Sequence, residues 1–412
     1  MKNVLYIPQW SMYDGRYLLN KDGNYTVLQI NLKLLKALNE DITVYVGVMA
    51  IDFSKSEIAE LTNITQGSKV VINFLIIPYT IVPIVNRFHF DVDKYSSIIL
   101  EYKIDMIINN IPELSQNFRY LEVVTNKAIP IVTYNHFPDH NGSDLLKGIK
   151  NKYFMRQADG IEASDIYLFN CYNSSKEFIK TVKTYAPSID TSNVDYITFT
   201  DFSDDAAFPK IEARKDKRRF FVFPSRITST LYTNWHLAFE AASMSGVHMV
   251  FCNPTGKRGI EALKKQFNNF YGESTVFGFK ALRWGNTYII NQDLTKKEYY
   301  TVLSKSTFSL NLYFNEHYGG LAQREATIIG DTFPIVPAIY AYKFWYSGCA
   351  YNPNMHKEID MECLDEILSY ASEFSKNYID RHKKIIQSNI LNNEDFNMFK
   401  DKYVKKFKDL LC

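Results

Sequence analysis

A chain of 412 residues is longer than one hydrophobic core usually serves, which argues for two domains. With 46% hydrophobic and 22% charged residues, its composition is that of a soluble globular protein rather than a disordered or fibrous one. A formal net charge of +2 supplies no strong global field for nucleic acid, so a polyanionic partner would have to be met by local patches.

The first element is a short apolar strand, Lys2 to Pro8, followed by a polar, glycine-containing segment, Ser11 to Gly23. Tyr25 to Leu38 then carries Val27, Leu28, Ile30, Leu32, Leu34, Leu35 and Leu38 at helical spacing, and Ile42 to Val48 supplies the next strand. Strand, loop, helix and strand form the opening of a doubly wound α/β domain. Ligands of such sheets bind beyond the carboxyl ends of the strands, so Tyr13, Asp14, Gly15 and Arg16 lie where a substrate can touch them. The most hydrophobic stretch, Val70 to Val85, is interrupted by Asn73, Pro78 and Pro83 and reads as buried strand and loop, with a membrane-associated surface as the lesser reading.

Ser96 to Lys103 reads as helix and Asp105 to Asn110 as a buried strand ending in two asparagines. Pro130 to Gly142 is a strand whose end releases Asn135, His136, Asp139 and His140 into a loop. Histidine titrates near neutral pH and a carboxylate can orient it, so His136 and Asp139 are candidates for acid/base chemistry, with Asn135 and His140 facing an acceptor. Metal ligation and a solvated loop without a role are the rivals. Ala163 to Asn170 is a further strand, and Asn173-Ser174-Ser175 is positioned to cap a helix from Lys176 to Thr184. After a strand from Tyr196 to Thr200, Asp201 to Pro209 has the composition of a linker. The charge run Lys210 to Arg219 is a solvated gatekeeper for the next strand, or the first place to look for bound nucleic acid.

The second half opens with Phe220-Phe-Val-Phe-Pro-Ser-Arg226 and a helix around Trp235 to Glu240. Arg226 follows a strand directly, and Lys257 and Arg258 follow the strand Val247 to Cys252. Leu294 to Ser304 is a helix and Thr307 to Phe314 a strand. The stretch from Phe314 to Pro337 then turns at Gly319-Gly320 into a short helix carrying Gln323, Arg324 and Glu325, followed by a strand from Phe333 to Val336. Helix-start amides attract phosphate, and carboxylates beside them, here Glu316 and Glu325, accept hydrogen bonds from sugar hydroxyls. The combination suggests a nucleotide-sugar site. Ile359 to Leu411 is mostly helical and ends in a basic amphipathic segment, Lys400 to Leu411, whose competing uses are packing on the first domain or contact with a membrane or nucleic acid.

Glu316, Gly319-Gly320-Leu321, Glu325-Ala326, Gly330 and Pro334-Ile335-Val336 together resemble the donor-site signature of GT-B glycosyltransferases, with eight residues between the glutamates where the retaining families usually have seven. The resemblance implies an α/β GT-B fold: two Rossmann-like domains facing a central cleft and a C-terminal helix crossing back. The expected limits are 1–205 for the acceptor domain, 206–385 for the donor domain and 386–412 for the returning helix. It further implies donor contacts from Arg226, Lys257, Glu316, Gly319, Gly320, Arg324 and Glu325, a base framed by Phe277-Gly278-Phe279, and acceptor contacts from Tyr13, Asp14, Arg16, Asn135 and His140, with His136 and Asp139 catalytic. Ile108 to Asn110, Val132 to His140, Phe223 to Thr228 and Leu321 to Ala326 are also similar to bacteriophage DNA glucosyltransferases. That similarity implies transfer of glucose from UDP-glucose to a hydroxymethylated base, and the two-glutamate pattern leans towards retention.

Two other readings stay open: a glycosyltransferase of surface polysaccharide or lipid synthesis, and a non-catalytic nucleotide-sugar binding module. No motif calls for a divalent metal or a tightly bound cofactor. The five cysteines form no ligand-like cluster, and neither a secretory leader nor a membrane-spanning run is visible. The expected location is therefore the cytoplasm, that of the host if the protein is phage-encoded. The 15% aromatic share either lines a sugar- or base-binding cleft or reflects an AT-rich genome, the second accounting for most of it.

Overall fold

The computed structural model describes residues 1–9, 12–13, 16–17, 23–48, 55–77, 90–135, 150–198, 201, 219–225, 227, 234–252, 272–292, 294–312, 321–337, 346, 350–351, 361–394 and 396–411. The chain divides into two compact units, one of Met1–Asp201 with Glu394–Cys412 and one of Phe202–Asn393.

In unit 1 the strands are β1 (Lys2–Ile7), β4 (Ile42–Val48), β5 (Val70–Ile76), β6 (Met106–Asn109), β7 (Ile131–Asn135), β8 (Ile166–Phe169) and β9 (Val194–Tyr196), and two-residue β2 (Met12–Tyr13) and β3 (Arg16–Tyr17) pair separately. The seven form one parallel sheet in the order β5-β4-β1-β6-β7-β8-β9. Its helices are α1 (Gly23–Ala37), α2 (Lys55–Thr65), α3 (Val92–Glu101), α4 (Ser115–Thr125), α5 (Lys150–Glu162) and α6 (Tyr172–Tyr185). Successive strand residues point to opposite faces, so both faces need cover. Val4, Tyr6, Val44, Val46, Ile108 and Val132 pack on one side with Leu28, Leu32 and Leu35 of α1. Leu5, Ile7, Ile107 and Ile131 pack on the other with Ile99 of α3 and Phe118 of α4.

Two expectations are corrected in unit 1. The Val70 to Val85 stretch begins as an edge strand rather than a buried one, because among the described residues β5 pairs only with β4, with Val71 56% and Ile76 62% exposed; residues 78–85 lie outside the described residues. The cap of α6 is Cys171, whose sulfur accepts from the Ser174 amide, so the helix starts earlier than the Asn-Ser-Ser group suggests.

Unit 2 is a mixed sheet in the order β12-β13-β14-β11-β10-β15-β16-β17. Its strands are β10 (Phe220–Phe223), β11 (His248–Phe251), β12 (Gly272–Val276), β13 (Phe279–Trp284), β14 (Thr287–Ile290), β15 (Phe308–Leu310), β16 (Phe333–Pro337) and β17 (Ala350–Tyr351). The helices are α7 (Trp235–Ser245), α8 (Lys296–Ser304), α9 (Leu321–Ile328), α10 (Met361–Ser372) and α11 (Lys376–Glu394). Phe221, Phe223, Met249, Phe251 and Leu310 pack under α7 and α10, while Phe220, Val222, Val250 and Ile290 pack under α8. The β12–β13 turn has positive φ at Phe277 and Gly278, the geometry of a tight hairpin turn matched to strand twist. Arg219, the described end of the expected charge run, is half-buried, and its Nη1 donates to the Ser372 and Phe374 carbonyls at the end of α10.

The last helix, α12 (Asn397–Leu411), belongs to unit 1. Its apolar residues Phe399, Tyr403, Phe407 and Leu411 join the core beside α1, which removes that face from any membrane. On its polar side, Lys402 and Lys406 reach Asp195 Oδ2 at 2.6 and 2.9 Å, and the Tyr403 hydroxyl donates to the Tyr196 carbonyl at 2.7 Å. Burial alone would raise the Asp195 carboxyl, but the hydrogen bonds from the two lysines and the Tyr196 amide outweigh it and hold the group below the usual carboxylate range. A carboxyl lowered on folding contributes stability above its unfolded pKa of about 3.9, and that contribution is lost as pH falls through the folded value. Denaturant titrations below about pH 4 should therefore show wild type losing more stability than Asp195→Asn. Superimposed acid profiles would remove Asp195 from the account.

Candidate functional site

The connectivity gives each unit a candidate ligand edge before any side chain is considered. Ligands of doubly wound sheets sit at the carboxyl ends of the strands where the strand order reverses. In unit 1 the chain steps from β1 to β4 on one side, and β6 lies on the other, so the reversal falls between Ile7 and Asn109. In unit 2 it falls between β10 and β15, beyond Phe223 and Leu310. Of the stretch singled out in the sequence, the helix α9 and the strand β16 are described, and residues 314–320 lie outside the described residues.

Glu325 sits on α9 and is 4% exposed. Its Oε1 accepts from Lys296 Nζ at 2.5 Å and from the Tyr300 hydroxyl at 3.1 Å. Both partners come from α8, which follows β14 and opens with a capping box between Thr295 and Glu298. Burial first, then the charge of Glu325, push the Tyr300 phenol far above its ordinary value, so it stays protonated and acts as a donor. A buried ion pair is ordinary structural material. What separates Glu325 from that reading is its asymmetry: one oxygen holds two donors, and among the described residues nothing donates to Oε2.

Packing fixes the two helices to each other. A Cβ on Gly330 would lie 2.6 Å from the Ala326 carbonyl and 2.7 Å from Leu303 Cβ, so α8 and the end of α9 approach this closely only because position 330 has no side chain. Asp331 follows in a left-handed conformation, φ 51°, and is gripped by α11: Lys383 reaches its Oδ2 at 2.6 Å and Gln387 its Oδ1 at 2.9 Å. Gln387 also donates to the Thr327 carbonyl, one of those left open at the end of α9. At the other end of α9, Gln323 donates to Ser309 of β15 at 2.7 Å. Glu325 thus stands on a helix held at both ends. Arg324, the other donor candidate on α9, is 2% exposed and ranks among the largest fully buried side chains.

In unit 1, Asn135 is not released into a loop. It is the last residue of β7, fully buried, and donates to Gln157 Oε1 at 3.2 Å and the Tyr167 hydroxyl at 3.0 Å. Gln157 in turn donates to Glu113 at 3.0 Å, so the asparagine anchors the strand end from within. Asn110, at the strand reversal, donates to the Tyr6 hydroxyl at 2.6 Å. Tyr13 and Arg16 are register partners in the β2–β3 pair. Asp14, His136, Asp139, His140, Arg226, Lys257, Glu316, Gly319 and Gly320 lie outside the described residues. Phe277 is occupied internally, its ring 4.8 Å from that of Phe220 and its carbonyl accepting from Lys305. Among the described residues no group of His, Cys, Asp and Glu is gathered that could hold a metal ion, and no helix is long and apolar enough to cross a membrane.

Sequence reasoning missed Lys296 and Tyr300. The Lys-Lys-Glu-Tyr-Tyr segment shows a capped helix, but nothing in it points to a partner 25 to 29 residues away.

No protein-family model and no curated protein matches the sequence. Solved structures do match over essentially the whole chain. A glycosyltransferase from Rickettsia africae is 13% identical, with a TM-score of 0.60 over 100% of this chain and 98% of that one. Anabaena HepE in complex with UDP and glucose is 10% identical, with a TM-score of 0.64 over 99% and 100%. Sucrose-phosphate synthase from Thermosynechococcus elongatus is 11% identical, with a TM-score of 0.65 over 100% and 99%. At such identities the likeness concerns the fold, and the fold of this chain is the two-unit α/β arrangement of GT-B glycosyltransferases.

Proposed function

We propose that the protein transfers a hexose, glucose in the first instance, from a UDP-sugar to an acceptor hydroxyl. The observation that carries this reading is Glu325: a buried carboxylate on the helix after β15, beside the strand reversal, with Oε1 saturated and Oε2 receiving no hydrogen bond among the described residues. A carboxylate oxygen in that state suits the vicinal hydroxyls of a ribose, which are donors. In this reading Glu325 holds the ribose, Arg226, Lys257, Arg324 and the amides at Gly319-Gly320 hold the diphosphate, and His136 with Asp139 serves the acceptor hydroxyl. The fold shared with HepE, whose structure contains UDP and glucose, supports the choice of donor.

For the acceptor we propose a hydroxymethylated base in DNA, on the strength of the sequence segments around Asn110, Asn135 and Arg226. A saccharide acceptor is the second reading, favoured by the structural likeness to sucrose-phosphate synthase and by the state of the C-terminal helix. There Asp195 engages Lys402 and Lys406, two of the cations a polyanion would use. Incubation with radiolabelled UDP-glucose, with hydroxymethylated DNA, with saccharide or lipid acceptors, and with none, tests the proposal. Label in DNA supports the first acceptor and label in saccharide or lipid the second, whereas UDP binding without turnover leaves a binding module in place of the enzyme.

A further inference from the structure

Among the described residues, Lys296 is the one cation that touches the candidate donor carboxylate. Its side chain is 46% exposed while that of Glu325 is 6% exposed, so the ion pair spans the boundary between solvent and interior. The ammonium also lies 5.1 Å from the Tyr300 ring centroid and 5.9 Å from that of Tyr299, within the range of attraction between a cation and an aromatic face. Two rings of its own helix and the Glu325 carboxylate therefore define where the Lys296 ammonium rests, and Lys296 with Tyr300 defines which oxygen of Glu325 is used up.

We infer that Lys296 is a positioning residue for the nucleotide: together with Tyr300 it fixes Oε1 of Glu325, so that Oε2 is presented to the ribose hydroxyls in a single orientation. The inference rests on the donor reading of Glu325 given above and goes beyond it, since Lys296 touches neither ribose nor phosphate in this account. Without Lys296 the buried carboxylate would keep, among the described residues, only the phenol as a partner, and its two oxygens would exchange places by rotation of the terminal torsion, which is broad and roughly two-fold. A carboxylate preorganised by charge-assisted bonds discriminates ligand hydroxyls, whereas a rotating or protonated one does so weakly.

The test uses the full chain and calorimetric binding of UDP and of 2′,3′-dideoxy-UDP, which differ only in the hydroxyls at issue. Wild type should prefer UDP by about tenfold or more, the range expected of hydrogen bonds to a charged group. Lys296→Met should bring the preference to within about threefold, Lys296→Arg should restore it, and Tyr300→Phe should reduce it in part. A merely structural lysine would weaken both ligands equally. Equal weakening, or a Lys296→Met protein with the wild-type preference, overturns the inference. Absence of UDP binding by wild type overturns the donor reading along with it. The expected pattern of preferences without any sugar transfer would uphold Lys296 while removing the transferase.

Discussion

Glu325→Gln should lower kcat/KM for the sugar donor by about 10- to 100-fold, since it removes the charge from hydrogen bonds worth about 1.5–3 kcal/mol to a donor's hydroxyls. The amide keeps the shape of the side chain, so α9 remains between Ser309 and Gln387 and the loss is not one of folding. Glu325→Ala should abolish donor use, and it should also destabilise unit 2, because the Tyr300 hydroxyl then loses its described acceptor in a buried setting. Arg226→Ala should match Glu325→Ala in activity, as expected of a diphosphate contact. Steady-state kinetics with UDP-glucose, alongside melting curves for each variant, separate chemistry from folding. Full turnover in Glu325→Gln and Arg226→Ala would end the assignment of the donor site to this half of the chain.

Phe407→Ala should cost unit 1 about 3–5 kcal/mol, the range for removing a buried aromatic ring without collapse of the space left behind. Phe407 is fully buried, and its companions Phe399, Tyr403 and Leu411 occupy the same core as Val4, Val44 and the α1 leucines. Urea denaturation followed by probes in each unit should show the unit 1 transition moving to lower denaturant. A loss under about 1 kcal/mol would mean that α12 packs only loosely against the sheet.

Much of the fold was legible because parallel strands covered on both faces read as continuous apolar runs. Ile42–Val48 is a strand over the span the sequence suggests, and the heptad-like leucines of α1 lie where their spacing puts them. Edges were harder. Val70–Ile76 is as apolar as its neighbours, and only the strand order shows that it has a single partner among the described residues. The cap at Cys171 was hidden because sulfur is an unusual acceptor there, and the more familiar Asn-Ser-Ser group follows it. At the site, Glu325 could be singled out by its place after a glycine turn. Its partners could not, because the contact between α8 and α9 is set by the bare Gly330 and by the Asp331 clamp from α11, both tertiary facts. Asn135 illustrates the opposite error: a polar residue at a strand end was read as exposed when Gln157 and Tyr167 had enclosed it.

The placement of α12 in the core of unit 1 has a consequence for how the protein is made. Unit 2 is in effect an insertion within unit 1, so the amino-terminal sheet emerges from the ribosome with the α1 side of its core open and must wait for nearly two hundred further residues before Phe399, Tyr403 and Phe407 arrive to close it. During that interval the inserted unit, contiguous in sequence, can complete itself first. The order of maturation would then run opposite to the order of synthesis, and protease resistance should appear in Phe202–Asn393 before it appears in Met1–Asp201.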